Sequence, residues 1–123
     1  MEHVRRQVAL TDLRFFAYHG FYPEEQVLGN EFTVALYVGF TGAPKDDDNL
    51  ANTVNYEVLY GIAKSEMQHP RKLLETVAEA ILSRIVQKFP FIEDAKISIT
   101  KRRPPFGGDQ AHATVTLVWQ QNE

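Results

Sequence analysis

The sequence predicts an α+β domain with a mainly antiparallel sheet, its elements in the order β-β-α-α-β-β. Three observations lead there. Alternating apolar and polar residues form runs at both ends of the chain, two apolar stripes at helical spacing fill the middle, and prolines and glycines separate the runs. A length of 123 residues suits one domain, read as residues 1–123.

The first run, Val8 to Tyr18, is dense in apolar residues (Leu10, Leu13, Phe15, Phe16, Tyr18) and reads as a long strand. His19-Gly20 breaks it, and a loop is expected through Pro23-Glu24-Glu25 to Gly29. From Asn30 to Phe40 the alternation is clean. Phe32, Val34, Leu36, Val38 and Phe40 share one face, and Thr33, Ala35, Tyr37 and Gly39 the other. That second face is small and mildly polar, as suits partial cover in an oligomer. Thr41 to Asn52, with Gly42, Pro44 and Asp46-Asp47-Asp48, reads as a turn-rich loop with solvated charge.

Asn55 is placed as a helix N-cap. Val58, Leu59, Ile62 and Met67 follow as a helical stripe up to Gln68, ended by Pro70. A stronger stripe, Leu74, Val77, Ala78, Ile81, Leu82, Ile85 and Phe89, recurs at steps of three and four and stops at Pro90. Ala95, Ile97 and Ile99 alternate with Lys96, Ser98 and Thr100 as a third strand. Arg102 to Gln110, with Pro104-Pro105 and Gly107-Gly108, is a loop. Ala111 to Trp119 alternates again, with Val115, Leu117 and Trp119 on one face. Both helices should cover one face of the sheet, leaving the other for water or another subunit.

Composition narrows the function. A net charge of −3 supplies no broad basic field, so nucleic acid is not an expected partner. The absence of cysteine excludes disulfides and thiolate metal sites. Met1 to Gln7 is polar and charged, unlike the apolar core of a signal peptide, and no apolar run is long enough to span a membrane, so the expected compartment is the cytoplasm. His3, His19, His69 and His112 are scattered, with no pair at metal-ligand spacing, and no metal site is expected.

Three charged residues stand beside structural breaks. Glu25 lies in the first loop, where an exposed acid is the plain reading. Glu75 opens the second helix, where an acid favours the helix dipole; the same carboxylate is well placed to accept paired N–H bonds from a flat amidine-like ligand. Lys101 ends the third strand beside Arg102 and Arg103. It reads either as a solvated basic strand end or as a base whose affinity for protons is lowered by burial or neighbouring cations. Periodicity and composition leave these alternatives open.

Four segments, taken together, resemble the dihydroneopterin aldolase family: Phe15-Phe16-Ala17-Tyr18-His19-Gly20 with Glu25 and Gly29, Thr53-Val54-Asn55-Tyr56, Leu73-Leu74-Glu75, and Thr100-Lys101-Arg102-Arg103-Pro104-Pro105. The likeness runs from about Val8 to Trp119. It implies the tunnelling fold, with subunits joined edge to edge in a ring barrel as a tetramer or octamer and active sites between neighbours. It implies cleavage of the side chain of a reduced pterin without a cofactor, a metal or a Schiff base. By resemblance, Glu75 anchors the pterin ring, helped by backbone groups near Leu74 and near Val54 and Asn55 of a neighbour. Lys101 takes part in proton transfer from the 2′-hydroxyl, Tyr56 acts across the interface in protonation and product release, and Glu25 orders water or the lysine.

One departure is Arg102-Arg103, where the family more often has an apolar or polar pair before Pro-Pro; Phe106 replaces a commoner aliphatic residue. Two arginines here would suit a phosphorylated substrate, so dihydroneopterin triphosphate epimerase is the alternative activity. The zinc-dependent pterin synthase branch of the fold would need a histidine set that the sequence lacks.

Overall fold

A computed structural model describes residues 4–42, 48–103 and 111–122. The clean alternation after Asn30 becomes strand β2 (Asn30–Gly42), whose inward residues Phe32, Val34, Leu36, Val38 and Phe40 are all buried. Each such side chain contributes about 1.5–3 kcal/mol when fully removed from water. On one side β2 pairs with β1 (Val4–Ala17), and on the other with β3 (Asp94–Lys101), which in turn pairs with β4 (Ala113–Gln120). The sheet order is β1-β2-β3-β4, and every pairing is antiparallel.

Two helices cover the inward face. α2 (Tyr56–Met67) packs on β1, and α3 (Leu74–Lys88) packs on β3 and β4. Asn55 caps α2, its side-chain oxygen accepting the Glu57 N–H at 3.0 Å. Buried residues of α3, Leu74, Val77, Ala78, Ile81, Leu82 and Ile85, are the apolar stripe of the sequence, and Phe89 closes the helix as C-cap. The outward face of the sheet carries short polar pairs, Ser98 with Thr116 and Thr100 with Thr114, each at 2.9 Å.

The structure differs from the sequence expectation in several places. The loop after β1 contains a six-residue helix, α1 (Pro23–Leu28), with Pro23 at its start, Glu24 and Glu25 in its first turn and Gly29 beyond its end. Leu50–Asn52 forms a 3₁₀ turn. With α1 included, the order is β-α-β-α-α-β-β.

β1 starts four residues earlier than Val8 and ends at Ala17 rather than Tyr18. Its polar beginning is held because Arg5 binds both Glu93 and Asp94, passing over Gly39, where a Cβ would lie 2.4 Å from the Asp94 carboxylate and 2.6 Å from the Arg5 guanidinium. A bulge sits within β1: Leu10 faces Leu36 and Leu13 faces Val34, so three residues on β1 span two on β2. The extra residue lets Asp12 turn through a positive φ of 60° and brings Leu10 and Leu13 onto the same inward face. β4 begins at Ala113 rather than Ala111. Asp46 and Asp47, and the Pro104-to-Gln110 part of the predicted loop, lie outside the described residues.

Candidate active site

Among the described residues, the buried polar or charged side chains are His19 and Lys101. Both stand in phase with the core. Lys101 continues the inward series Ala95, Ile97, Ile99 on β3, and His19 continues Phe15 and Ala17 beyond the end of β1. A buried ammonium needs a partner. Lys101 Nζ donates to Glu25 Oε2 at 2.7 Å, and both side chains are mostly shielded.

Glu25 reaches this position from α1. Its second oxygen accepts the Tyr22 N–H at 3.2 Å. Its stem lies against Gly20, where an added Cβ would come within 2.4 Å of Glu25 Cβ and 2.6 Å of Oε1. Burial alone would raise the pKa of Glu25. The hydrogen bond from Lys101, the Tyr22 N–H, the charge of Lys101 and the Phe21 backbone outweigh it and hold the carboxyl below its usual range. The pair is therefore an ordered carboxylate beside a cation, shielded from bulk water.

His19 lies next to this pair. Its ring meets Phe32 edge-on at 5.4 Å, and Phe32 is the register partner of Lys101. Nδ1 accepts the Arg71 N–H at 3.2 Å, so the ring is the neutral tautomer with its proton on Nε2. Burial lowers the pKa of His19 from 6.5 to about 4, as do the charges of Arg71 and Lys101; the Met67 carbonyl opposes them. That carbonyl favours a proton on the ring, yet Nε2 makes no hydrogen bond of normal geometry. Arg71 is itself fixed: its guanidinium binds Glu66 Oε1 at 2.8 Å and the Glu66 carbonyl at 3.1 Å, and Arg84 binds the other oxygen of Glu66 at 3.0 Å.

From Arg71 the chain runs directly into α3 and the predicted ring-binding segment. Leu74 is buried in the core, so only its backbone can meet a ligand, whereas Glu75 in the first turn is exposed. Lys101, Glu25, His19, Arg71 and the start of α3 thus form a connected set.

Tyr56, Val54 and Asn55 are placed elsewhere. Met67, at the C-terminal end of α2, is near His19, and Tyr56 opens the same helix about 17 Å away along its axis. Tyr56 is 60% exposed. Val54 is sealed in the core, leaving only its backbone for a ligand, and the Asn55 side chain is engaged as the helix cap.

Arg102 and Arg103 are exposed. The Arg102 N–H donates to the Glu31 carbonyl at 3.0 Å, and the Arg103 carbonyl accepts from Asn30 at 2.7 Å. Arg103 lines an outward cleft of about 630 Å³ with Phe16, Leu28, Gly29, Asn30 and Glu31. Two other clefts, between α2 and α3 and between α3 and β4, hold about 530 and 550 Å³ and are not lined by Lys101, Glu25 or Glu75.

Sequence reasoning passed over His19, treating it as a strand break. Its place in phase with Phe15 and Ala17 was the available signal. Among the described residues no cluster of three or more His, Asp or Glu side chains could hold a metal ion, and no helix is long and apolar enough to cross a membrane.

Comparison with known proteins gives this arrangement a context. The FolB dihydroneopterin aldolase family model matches residues 8–118. A dihydroneopterin aldolase of Bacillus subtilis is 34% identical over 115 residues, covering 91% of this chain and 95% of that one. The crystal structure of FolB from Vibrio cholerae superposes with a TM-score of 0.79 at 19% identity, covering 94% of this chain and 98% of that one. Escherichia coli dihydroneopterin aldolase, solved in complex with neopterin, superposes with a TM-score of 0.74 at 19% identity, covering 93% and 98%. At these identities the two structures speak to the fold, while the family model and the Bacillus relative span almost the whole chain. The chain belongs to the dihydroneopterin aldolase family.

Proposed function

We propose that this chain, acting as one catalytic domain, cleaves 7,8-dihydroneopterin by a retro-aldol reaction to 6-hydroxymethyl-7,8-dihydropterin and glycolaldehyde. Family membership supplies the reaction. The observation that carries it onto these residues is the shielded Lys101–Glu25 pair, joined through His19 and Arg71 to the start of α3. The neopterin complex of the Escherichia coli enzyme supports a pterin as ligand.

The chemistry suits such a site. The 2′-hydroxyl loses its proton as the C1′–C2′ bond breaks, and C2′ becomes the aldehyde carbon of glycolaldehyde. The bonding electrons move onto C1′ and into the conjugated C6=N5 unit of the dihydropterin, forming an enamine. Protonation at C1′ then gives the hydroxymethyl product. The substrate carries its own electron sink, so the protein's work is to hold the ring, move protons and stabilise developing charge.

In this reading Glu75 accepts the 2-amino group and adjacent ring N–H of the pterin. Leu74 contributes its backbone. Lys101, held by Glu25, takes part in the transfer of the 2′-hydroxyl proton through water, and Glu25 orders that water or the lysine. Tyr56 of a neighbouring subunit protonates the intermediate, with Val54 and Asn55 offering ring contacts from the same neighbour. The separation of Tyr56 from Lys101 within one chain supports a site shared between copies. The tunnelling-fold ring, a tetramer or octamer closed edge to edge, is the assembly that goes with this reading; closure also covers the free edges of β1 and β4. A cytoplasmic location accompanies it.

The triphosphate epimerase alternative is not favoured, because the relatives reported above are named aldolases. Epimerisation at C2′ remains part of the proposal only as a side reaction: C1′ of the enamine adds back to the opposite face of the glycolaldehyde carbonyl, re-forming the C1′–C2′ bond, and the new 2′-oxygen takes up a proton.

The test is a product assay. Purified protein is incubated anaerobically with 7,8-dihydroneopterin, and separately with its triphosphate, in the presence of a chelator. Release of glycolaldehyde and hydroxymethyl dihydropterin from the unphosphorylated substrate is expected. Epimerised triphosphate without cleavage would overturn the assignment.

A further inference from the structure

We infer that His19 is a positioning residue: its imidazole ties the loop carrying Glu25 to the segment that leads into Glu75, and so sets the reacting pair in register with the ring anchor. The inference rests on the proposed roles of Lys101, Glu25 and Glu75 and adds to them a residue whose side chain need not touch substrate.

The junction is reciprocal. The Gly20 N–H donates to the Arg71 carbonyl at 2.9 Å, and the Arg71 N–H donates back to His19 Nδ1 at 3.2 Å. It resembles one rung of an antiparallel ladder in which an imidazole nitrogen replaces a backbone carbonyl. Each side is anchored independently. On the helical side, Arg71 is bound to Glu66, and Glu66 to Arg84 of α3. On the loop side, Gly20 lies under the Glu25 side chain, and its carbonyl accepts from Gln26 at 3.0 Å. His19 itself is fully buried and rests on Phe32, opposite Lys101 in the sheet.

Without the imidazole acceptor, the Arg71 N–H would be a donor with no partner in a shielded place, which is costly. The Gly20 bond would then hold the two segments alone. Misplacement of reacting groups by about 1 Å costs roughly 100-fold in rate even when ligand contacts survive. Loss of the imidazole acceptor should therefore lower turnover while leaving ring binding nearly intact.

The experiment uses the full chain with His19→Phe, which keeps a ring but removes the acceptor, and His19→Asn, whose amide oxygen can take the place of Nδ1. The readouts are kcat for dihydroneopterin, equilibrium affinity for neopterin, and hydrogen exchange of the Arg71 amide. For His19→Phe the expected result is a kcat lower by about tenfold or more with affinity within roughly threefold, together with faster Arg71 exchange. His19→Asn should recover most of the rate and the protection. Equal losses in kcat and affinity, unchanged exchange at Arg71, or an asparagine variant as impaired as the phenylalanine one would each overturn the inference. If His19→Phe does not fold, His19→Asn decides: near-normal kcat and Arg71 protection support the brace, and loss of either overturns it. Absence of cleavage by the wild-type protein would sink the proposed reaction alone; Arg71 protection, lost in His19→Phe and restored in His19→Asn, still tests the brace.

Discussion

The two ends of α2 show opposite solutions to the same problem of placing a polar group. At its C-terminal end, Glu66, the Met67 carbonyl, Arg71 and His19 form a shielded network that leads to Lys101 and Glu25. At its N-terminal end, Tyr56 projects outward and Val54 turns its side chain into the core. Buried polar groups must find partners when the chain folds, because leaving them unpaired costs more than a bond gains. An exposed tyrosine has no such requirement. One half of the proposed site is therefore fixed within each chain, and the other half is presented for use elsewhere.

If this division is right, removing a group from the shielded half should separate chemistry from binding. Lys101→Ala is expected to lower kcat by about 1,000-fold, within the range for a lost proton-transfer group, with neopterin affinity changed only a few-fold. Glu75→Ala should do the reverse and weaken neopterin binding by roughly 100-fold through loss of a charge-assisted paired contact. Equilibrium titration and steady-state kinetics on both variants check this. Equal effects on affinity would contradict the division of labour.

The shielded half should also make the fold sensitive to acid. The folded pKa of His19, about 4, lies below its ordinary value of 6.5. The unfolded chain therefore takes up a proton before the folded one does, and stability falls as pH drops from 6.5 towards 4. The loss is roughly 2 kcal/mol once the contributions of Arg71 and Lys101 are discounted for solvent screening. Glu25 acts in the same direction at lower pH. Its depressed pKa stabilises the fold above the ordinary glutamate range, and that contribution disappears as pH falls through the folded value. Urea unfolding between pH 7 and 4 should show a shallower dependence in His19→Asn than in the wild type.

Smaller effects sharpen the picture. Gly20→Ala would push against Glu25 and should destabilise the fold by about 1–2 kcal/mol while disturbing the Lys101 pair, measurable as a parallel fall in Tm and kcat. Asp12→Gly lies far from this network, in the β1 bulge. It should gain about 0.5 kcal/mol by relieving a positive φ, with no change in kcat.

Most of the sheet and both long helices were legible because their side chains follow a period, and burial of one face enforces it. The short α1 was not, since six residues are too few for a helical stripe to emerge; only Pro23, the two acids and Gly29 marked its limits. The first four residues of β1 were hidden for a different reason. They are mostly polar and are held by Arg5 reaching Glu93 and Asp94, a long-range pairing that leaves no local pattern. The burial of Lys101 and His19 had an available signal in their phase with apolar neighbours, but the sequence reading left Lys101 open between a solvated strand end and a base and took His19 as a strand break. Their partners were not legible, because Glu25 and Arg71 come from segments 76 and 52 positions away. The role proposed for Tyr56 rests on family resemblance alone, since its exposed place at the start of α2 gives no local signal of one.

The most direct test of a site divided between chains is subunit mixing. Lys101→Ala and Tyr56→Ala proteins, each expected to be nearly inactive, are unfolded together, refolded and assayed with dihydroneopterin. If Lys101 of one chain works with Tyr56 of another, random mixing restores about a quarter of the wild-type activity, because about one interface in four then joins both intact groups. No recovery, from mixtures shown to contain both variants in the same assembly, would mean that the two groups act within one chain and would contradict the account.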